Sequence, residues 1–167
     1  MIKHIIFDLD GVLVDAKEIH FQALEKALWE KYQRKLTSEE QWALDGLPTR
    51  VKLDKIHFVL EEHKKEIEKR KQELSSNLFN DLSKDYDLIA MLEQLSMEYG
   101  YKLSVASNAR RNTVAIALKR LGIDEYFTIA ISNDDVVESK PSPEMYYKCM
   151  LHNKLWTPQT TVVEDST

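Results

Sequence analysis

Three consecutive apolar residues, Ile5-Ile6-Phe7, run straight into Asp8-Leu9-Asp10-Gly11, and no other junction in the chain constrains the fold as much. An apolar run too short for a helix and closed by polar residues predicts a buried parallel strand that delivers its C-terminal end to a loop. Leu103–Ala106, Phe127–Ser132 and Thr160–Val163 have the same character. Helical spacing separates the later runs: Leu88, Met91, Leu92 and Leu95 within Asp87–Tyr99, then Val114, Ala117, Leu118 and Leu121 within Thr113–Leu121, closed by Gly122. Strand, helix, strand in this order predicts an α/β fold, a doubly wound parallel sheet of Rossmann-like type.

Residues 16–82 interrupt the alternation with helical periodicity and no strand, which predicts an inserted α-helical unit; residues 1–15 and 83–167 then form the core. The first inserted helix, Lys17–Tyr32, aligns His20, Leu24, Ala27, Leu28 and Tyr32. Thr37-Ser38-Glu39-Glu40-Gln41 has the form of a capping box opening a second helix, and Gly46-Leu47-Pro48-Thr49 reads as the turn that ends it. Two more helices are expected over Thr49–Leu60 and Lys64–Leu82.

Composition narrows the function classes. With 28 acidic and 23 basic residues interspersed, the formal charge is -5, and no basic patch with interleaved aromatics marks a nucleic-acid binder. No stretch approaches the ~20 apolar residues of a membrane span, and Met1–Asp8 lacks a small-residue cleavage site. The single cysteine, Cys149, has no partner for an internal disulfide, which fits a reducing cytoplasm.

The pair Asp8 and Asp10 sits where open α/β sheets bind ligands, at a strand's C-terminal end. Two carboxylates this close repel unless a cation compensates. A hard divalent ion with oxygen ligands does so, and magnesium is the usual choice where phosphate is also bound. Asp8 can then attack phosphorus while Asp10 handles the proton of an alcohol or water. A strand-end turn whose aspartates cap backbone amides is the alternative for the pair alone. Beyond the other strands stand Ser107-Asn108, Lys140-Pro141-Ser142-Pro143 and Glu164-Asp165-Ser166. Each is unremarkable singly; four such segments at strand ends are not.

Taken together, Asp8–Asp15, Ser107-Asn108, Lys140–Pro143 and Glu164–Ser166 resemble the four ordered motifs of the haloacid dehalogenase (HAD) superfamily, and the helical insertion resembles that family's small cap. The resemblance covers essentially the whole chain and implies Asp8 as nucleophile, Asp10 as general acid/base, Ser107 and Asn108 holding the phosphoryl group, and Lys140 neutralising charge. It implies magnesium held by Asp8, Asp10 and Asp165, with Glu164 in support. Within the superfamily the detail is similar to β-phosphoglucomutase and sugar-phosphate phosphatases. Asp15 and His20 have the spacing of that group, where the histidine helps to hold the acid/base; a packed histidine on the helix's apolar stripe is the alternative. Gly46–Arg50 resembles the cap loop that reads substrate, making Thr49 and Arg50 candidate contacts, or else a solvated helix start.

The function implied is hydrolysis of a small phosphomonoester through an aspartyl-phosphate. A phosphomutase is the close alternative, and a non-catalytic interaction module the alternative of another class. A monomer or weak homo-oligomer is expected. The chain stops at Thr167, just after the fourth motif, where relatives continue; a truncated C-terminus is the expectation, with a domain cut from a longer protein or completion by a partner as the other possibilities.

Overall fold

The computed structural model describes residues 1–44, 47 and 49–165. It divides into two compact units, Met1–Lys17 with Phe79–Thr167, and Glu18–Leu78.

The first unit is built on a four-stranded, wholly parallel sheet of β1 (His4–Phe7), β2 (Lys102–Ala106), β3 (Phe127–Ile131) and β4 (Thr160–Val163), in the order β3-β2-β1-β4. Ile5, Ile6 and Phe7 of β1 are all buried, as strands covered on both faces require. Its register pairs Phe7 with Val105 on one side and Val163 on the other. Every strand therefore ends on the same edge of the sheet, with Asp8 between the ends of β2 and β4.

Helix α5 (Tyr86–Glu93) is shorter than the expected Asp87–Tyr99: Asp85 caps it by accepting from the amides of Asp87 and Leu88, and Gln94–Glu98 continues as a π-turn. Helix α6 (Arg111–Leu121) ends at Gly122, whose φ of +73° is the left-handed cap for which glycine is suited. Helix α7 (Glu144–Asn153) was not legible in the sequence pattern; it buries Met145, Cys149 and Met150 against Ile6, Ala106 and Ile131 of the sheet.

The second unit is helical throughout. Helix α1 (Lys17–Tyr32) buries Ala23, Leu24, Ala27 and Leu28. Helix α2 (Ser38–Leu44) opens with the expected capping box, Glu40 N–H donating to Thr37 Oγ1 and Thr37 N–H to Glu40 Oε2. Helix α3 (Thr49–Lys55) stops short of Leu60, because Ile56 and Val59 turn inward to the core while the Tyr32 hydroxyl accepts the Leu60 N–H at 2.9 Å. Helix α4 (Lys64–Phe79) contributes Ile67 and Leu74 to the same core and ends before the expected Leu82. The Gly46 and Pro48 parts of the expected turn lie outside the described residues.

Candidate active site

Two strands and one loop assemble the site in the first unit. The Asp8 N–H donates to the Val163 carbonyl at 2.9 Å, which continues the β1–β4 ladder one step and sets Asp8 beside Glu164. Lys140 Nζ then donates to both carboxylates, 2.9 Å to Asp8 Oδ1 and 2.9 Å to Glu164 Oε2. Side-chain exposures of 9% for Lys140 and 10% for Asp8 leave little water to screen this contact. Burial pushes the Asp8 carboxyl above its ordinary range, and the Lys140 hydrogen bond and charge only partly offset it. For Lys140 burial acts downward, yet two carboxylate partners outweigh it and hold the ammonium above its usual value. The asymmetry is simple: one cation serves two anions.

Ligand oxygens of Asp8, Glu164 and Asp165 all lie within 4.8 Å of one another. Three hard oxygen donors around one point suit magnesium or a similar cation. Among the described residues, this group contains Glu164, expected only in a supporting place, and it does not contain Asp10, which was expected as a ligand. The ladder explains Glu164, since it is the residue level with Asp8 across β1 and β4. Asp10 lies past the strand, in a turn closed by Gly11 N–H to Val14 C=O at 2.8 Å and by a bridge between Asp10 and Val14. Ser166 lies outside the described residues.

Ser107 is fully buried just past β2, its amide bonded to the Ile131 carbonyl and its Oγ accepting from the Ala109 N–H at 3.0 Å. Asn108, expected to bind substrate, has its side chain on the lysine loop: Oδ1 accepts the Lys140 N–H at 2.9 Å and Nδ2 donates to the Lys140 carbonyl at 3.4 Å. Further along, Glu144 Oε2 accepts the amides of Val137 and Glu138. Asp135 closes a capping box with Ser132; burial would raise its carboxyl, but the Ser132 donors and Arg111 together hold it below the usual range. The loop from Ser132 to Pro143 is thus fixed at both ends, with its Lys140–Pro141 peptide cis.

Tyr146, in the first turn of α7, went unremarked in the sequence. Its hydroxyl donates to Glu164 Oε2 at 3.3 Å, and its ring centroid lies 5.5 Å from Lys140 Nζ. An aromatic residue just beyond a loop lysine was the only available signal. Cys149 does not qualify as a thiolate nucleophile, because burial pushes its thiol up to about 12.

The remaining candidates belong to the helical unit. His20 Nδ1 is 3.1 Å from Lys71 Nζ and 3.4 Å from Ser75 Oγ. Thr49 opens α3 and is half-buried, and Arg50 is exposed and paired with Glu61 at 2.9 Å.

The family model for haloacid dehalogenase-like hydrolases matches residues 5–167. A phosphorylated carbohydrates phosphatase of Thermotoga maritima is 27% identical over 97% of this chain and 76% of its own length. The pyrophosphatase PpaX of Anoxybacillus flavithermus is 28% identical over 99% of this chain and 75% of its own. A solved Thermotoga maritima structure provisionally designated a β-phosphoglucomutase superposes with a TM-score of 0.78 at 26% identity, covering 99% of this chain and 77% of that one. No helix among the described residues is long and apolar enough to cross a membrane.

Proposed function

This chain belongs to the haloacid dehalogenase-like hydrolases, and from that premise we propose that it is a magnesium-dependent phosphatase of a small phosphorylated metabolite, working through a phosphoryl group carried on Asp8. The observation that carries the reading is the Lys140 ammonium seated between Asp8 and Glu164, with Asp165 in the same acidic group. A purely structural lysine needs one counter-ion; a lysine that bridges two carboxylates at converging strand ends, with a third carboxylate in the same acidic group, suits a site that must alternately face and release a phosphoryl dianion.

In this reading a carboxylate oxygen of Asp8 attacks phosphorus, the bond from phosphorus to the leaving oxygen breaks, and Asp10 gives its proton to that oxygen. Asp10 then takes a proton from water as the water oxygen attacks phosphorus and the bond to Asp8 breaks, returning both carboxyls to their starting states. Lys140 offsets charge on the phosphoryl oxygens through both steps. The Ser107 hydroxyl and the adjacent Asn108 amide hold those oxygens. Asp8, Glu164 and Asp165 would hold magnesium, which when bound supplies positive charge against the phosphoryl group and the carboxylates. The same reading gives the helical unit the choice of leaving group, with His20, Thr49 and Arg50 as the residues to substitute first.

A phosphomutase is the second reading, favoured by the likeness to the Thermotoga maritima structure designated a β-phosphoglucomutase. One experiment separates the readings: phosphate release from a panel of phosphomonoesters, with and without magnesium, for the wild type and Asp8→Asn, with β-glucose 1-phosphate included. Magnesium-dependent release that the substitution abolishes supports the phosphatase. Conversion of β-glucose 1-phosphate without net release supports the mutase. Neither activity in the folded protein would sink both.

A further inference from the structure

Lys140 projects from an irregular loop, and its head group is held by ion pairs to two carboxylates that differ in their surroundings. Asp8 is anchored by the sheet through its own amide. Glu164 is the first residue past β4, half-buried and without a strand to fix its side chain. Its Oε2 accepts Lys140 Nζ at 2.9 Å and the Tyr146 hydroxyl at 3.3 Å, so one oxygen takes two donors. The face of the same tyrosine ring lies 5.5 Å from the ammonium, within the range at which a cation is attracted to an aromatic face. Tyr146 therefore touches both members of the pair, its ring against the cation and its hydroxyl on the anion. It can do so because the first turn of α7 is rigid, with Met145 beside it buried under the sheet.

We infer that Tyr146 is a positioning residue of the phosphoryl-transfer site, setting the Lys140–Glu164 pair at the height at which Lys140 also reaches Asp8; the inference rests on the phosphatase reading. The tyrosine contributes no proton and no contact to the reacting atoms. Its work is to limit the rotamers of two long side chains whose heads would otherwise separate. Loss of this restraint lowers the fraction of molecules with Lys140 correctly aimed, which slows the chemical step and leaves ground-state binding nearly intact.

The test uses the full chain with magnesium and p-nitrophenyl phosphate, comparing the wild type, Asp8→Asn, Tyr146→Phe, Tyr146→Leu and the exposed neighbour Tyr147→Leu. Tyr146→Phe keeps the ring and loses only the bond to Glu164, so kcat falls about fivefold. Tyr146→Leu loses both contacts, and kcat falls about fiftyfold while KM stays within about threefold. Calorimetric titration with orthovanadate, as the transition-state-like probe, weakens in step with kcat, whereas titration with inorganic phosphate does not. Tyr147→Leu is unchanged in all readouts. Where Tyr146→Leu does not fold, Tyr146→Phe decides alone. Equal losses in the Tyr147 and Tyr146 variants, a loss confined to KM, or a kcat kept within about twofold in both Tyr146 variants overturns the assignment of Tyr146 while the phosphatase reading stands. No hydrolysis by the wild type, or hydrolysis that Asp8→Asn leaves intact, overturns the phosphatase reading and this inference with it.

Discussion

Gly11 and Asp165 approach so closely that no side chain fits between them: a Cβ on Gly11 would lie 2.1 Å from Asp165 Oδ2 and 2.5 Å from its Cγ. Gly11 also has a φ of +84°, a conformation that costs other residues roughly 1–2 kcal/mol. The glycine thus serves two ends, allowing the turn after Asp10 and leaving room for the Asp165 carboxylate. Gly11→Ala is expected to rotate Asp165 away from Asp8 and Glu164. Magnesium affinity measured by calorimetry should fall about tenfold or more, with Tm falling a few degrees. Unchanged magnesium binding would show that Asp165 does not hold the ion.

Of the three clustered carboxylates, Asp8 and Glu164 share the Lys140 ammonium, which relieves the repulsion within the group only in part. A divalent cation bound there should stabilise the folded chain. At a magnesium concentration of about 100 times Kd the gain is about 2.7 kcal/mol, which for a chain of this size raises Tm by about 5–10 °C. Differential scanning calorimetry with magnesium and with a chelator reads the shift. Asp165→Asn should remove most of it; an equal shift in that variant would place the ion elsewhere.

The sheet was legible because its signal is local. Short β-branched runs ending in polar residues carry their own strand assignment, and Lys17–Tyr32 carried its helix in the stripe of His20, Leu24, Ala27, Leu28 and Tyr32, of which Leu24, Ala27 and Leu28 are buried. Helix α7 was not legible, since Pro141 and Pro143 read as loop and only Met145, Cys149 and Met150 of its ten residues are buried, too short a stripe to stand out. The end of α3 was overestimated because Ile56 and Val59 leave the helical path to reach buried positions, a tertiary demand that periodicity does not contain, and α4 ends at the fully buried Phe79 rather than at Leu82. In the site, residue types showed which segments could converge. Partners could not be read the same way: Glu164 owes its place to the register of β4 on β1, and Tyr146 and Asn108 owe theirs to the path of the lysine loop.

Asn108 gives both ends of its amide to the backbone of Lys140. Being exposed, these two bonds contribute little to global stability. They do fix the point from which Lys140 reaches Asp8. Asn108→Ala is expected to lower kcat about tenfold with Tm nearly unchanged, while Asn108→Asp, which keeps the acceptor for the Lys140 N–H, retains more activity. Steady-state kinetics beside thermal melts checks this; a rise in KM with kcat intact would return Asn108 to substrate binding.

A buried histidine is expected to make the fold sensitive to acid. His4 is completely buried, with Nδ1 3.3 Å from Thr160 Oγ1 and Nε2 2.9 Å from Ser104 Oγ, joining β1 to β4 and β2. Asn153 Nδ2 donates to the Cys149 carbonyl and to Ser104 Oγ, each at 3.0 Å, and lies 3.2 Å from His4 Nε2. The hydrogen-bonding partners of the ring are hydroxyl and amide groups, none of them an anion that would hold an imidazolium, so the neutral imidazole is the form that fits. Burial accordingly lowers the His4 pKa below 6.5. The unfolded chain then binds a proton that the folded chain refuses, so His4 leaves stability intact above about pH 6.5 and subtracts from it as the pH falls below that value, down to the lowered folded-state pKa. Urea unfolding at pH 7.5, 6.5 and 5.5 should show a decline in the wild type that is shallower in His4→Gln, even though the variant is less stable at neutral pH. Parallel declines in the two proteins would assign the acid sensitivity to other groups.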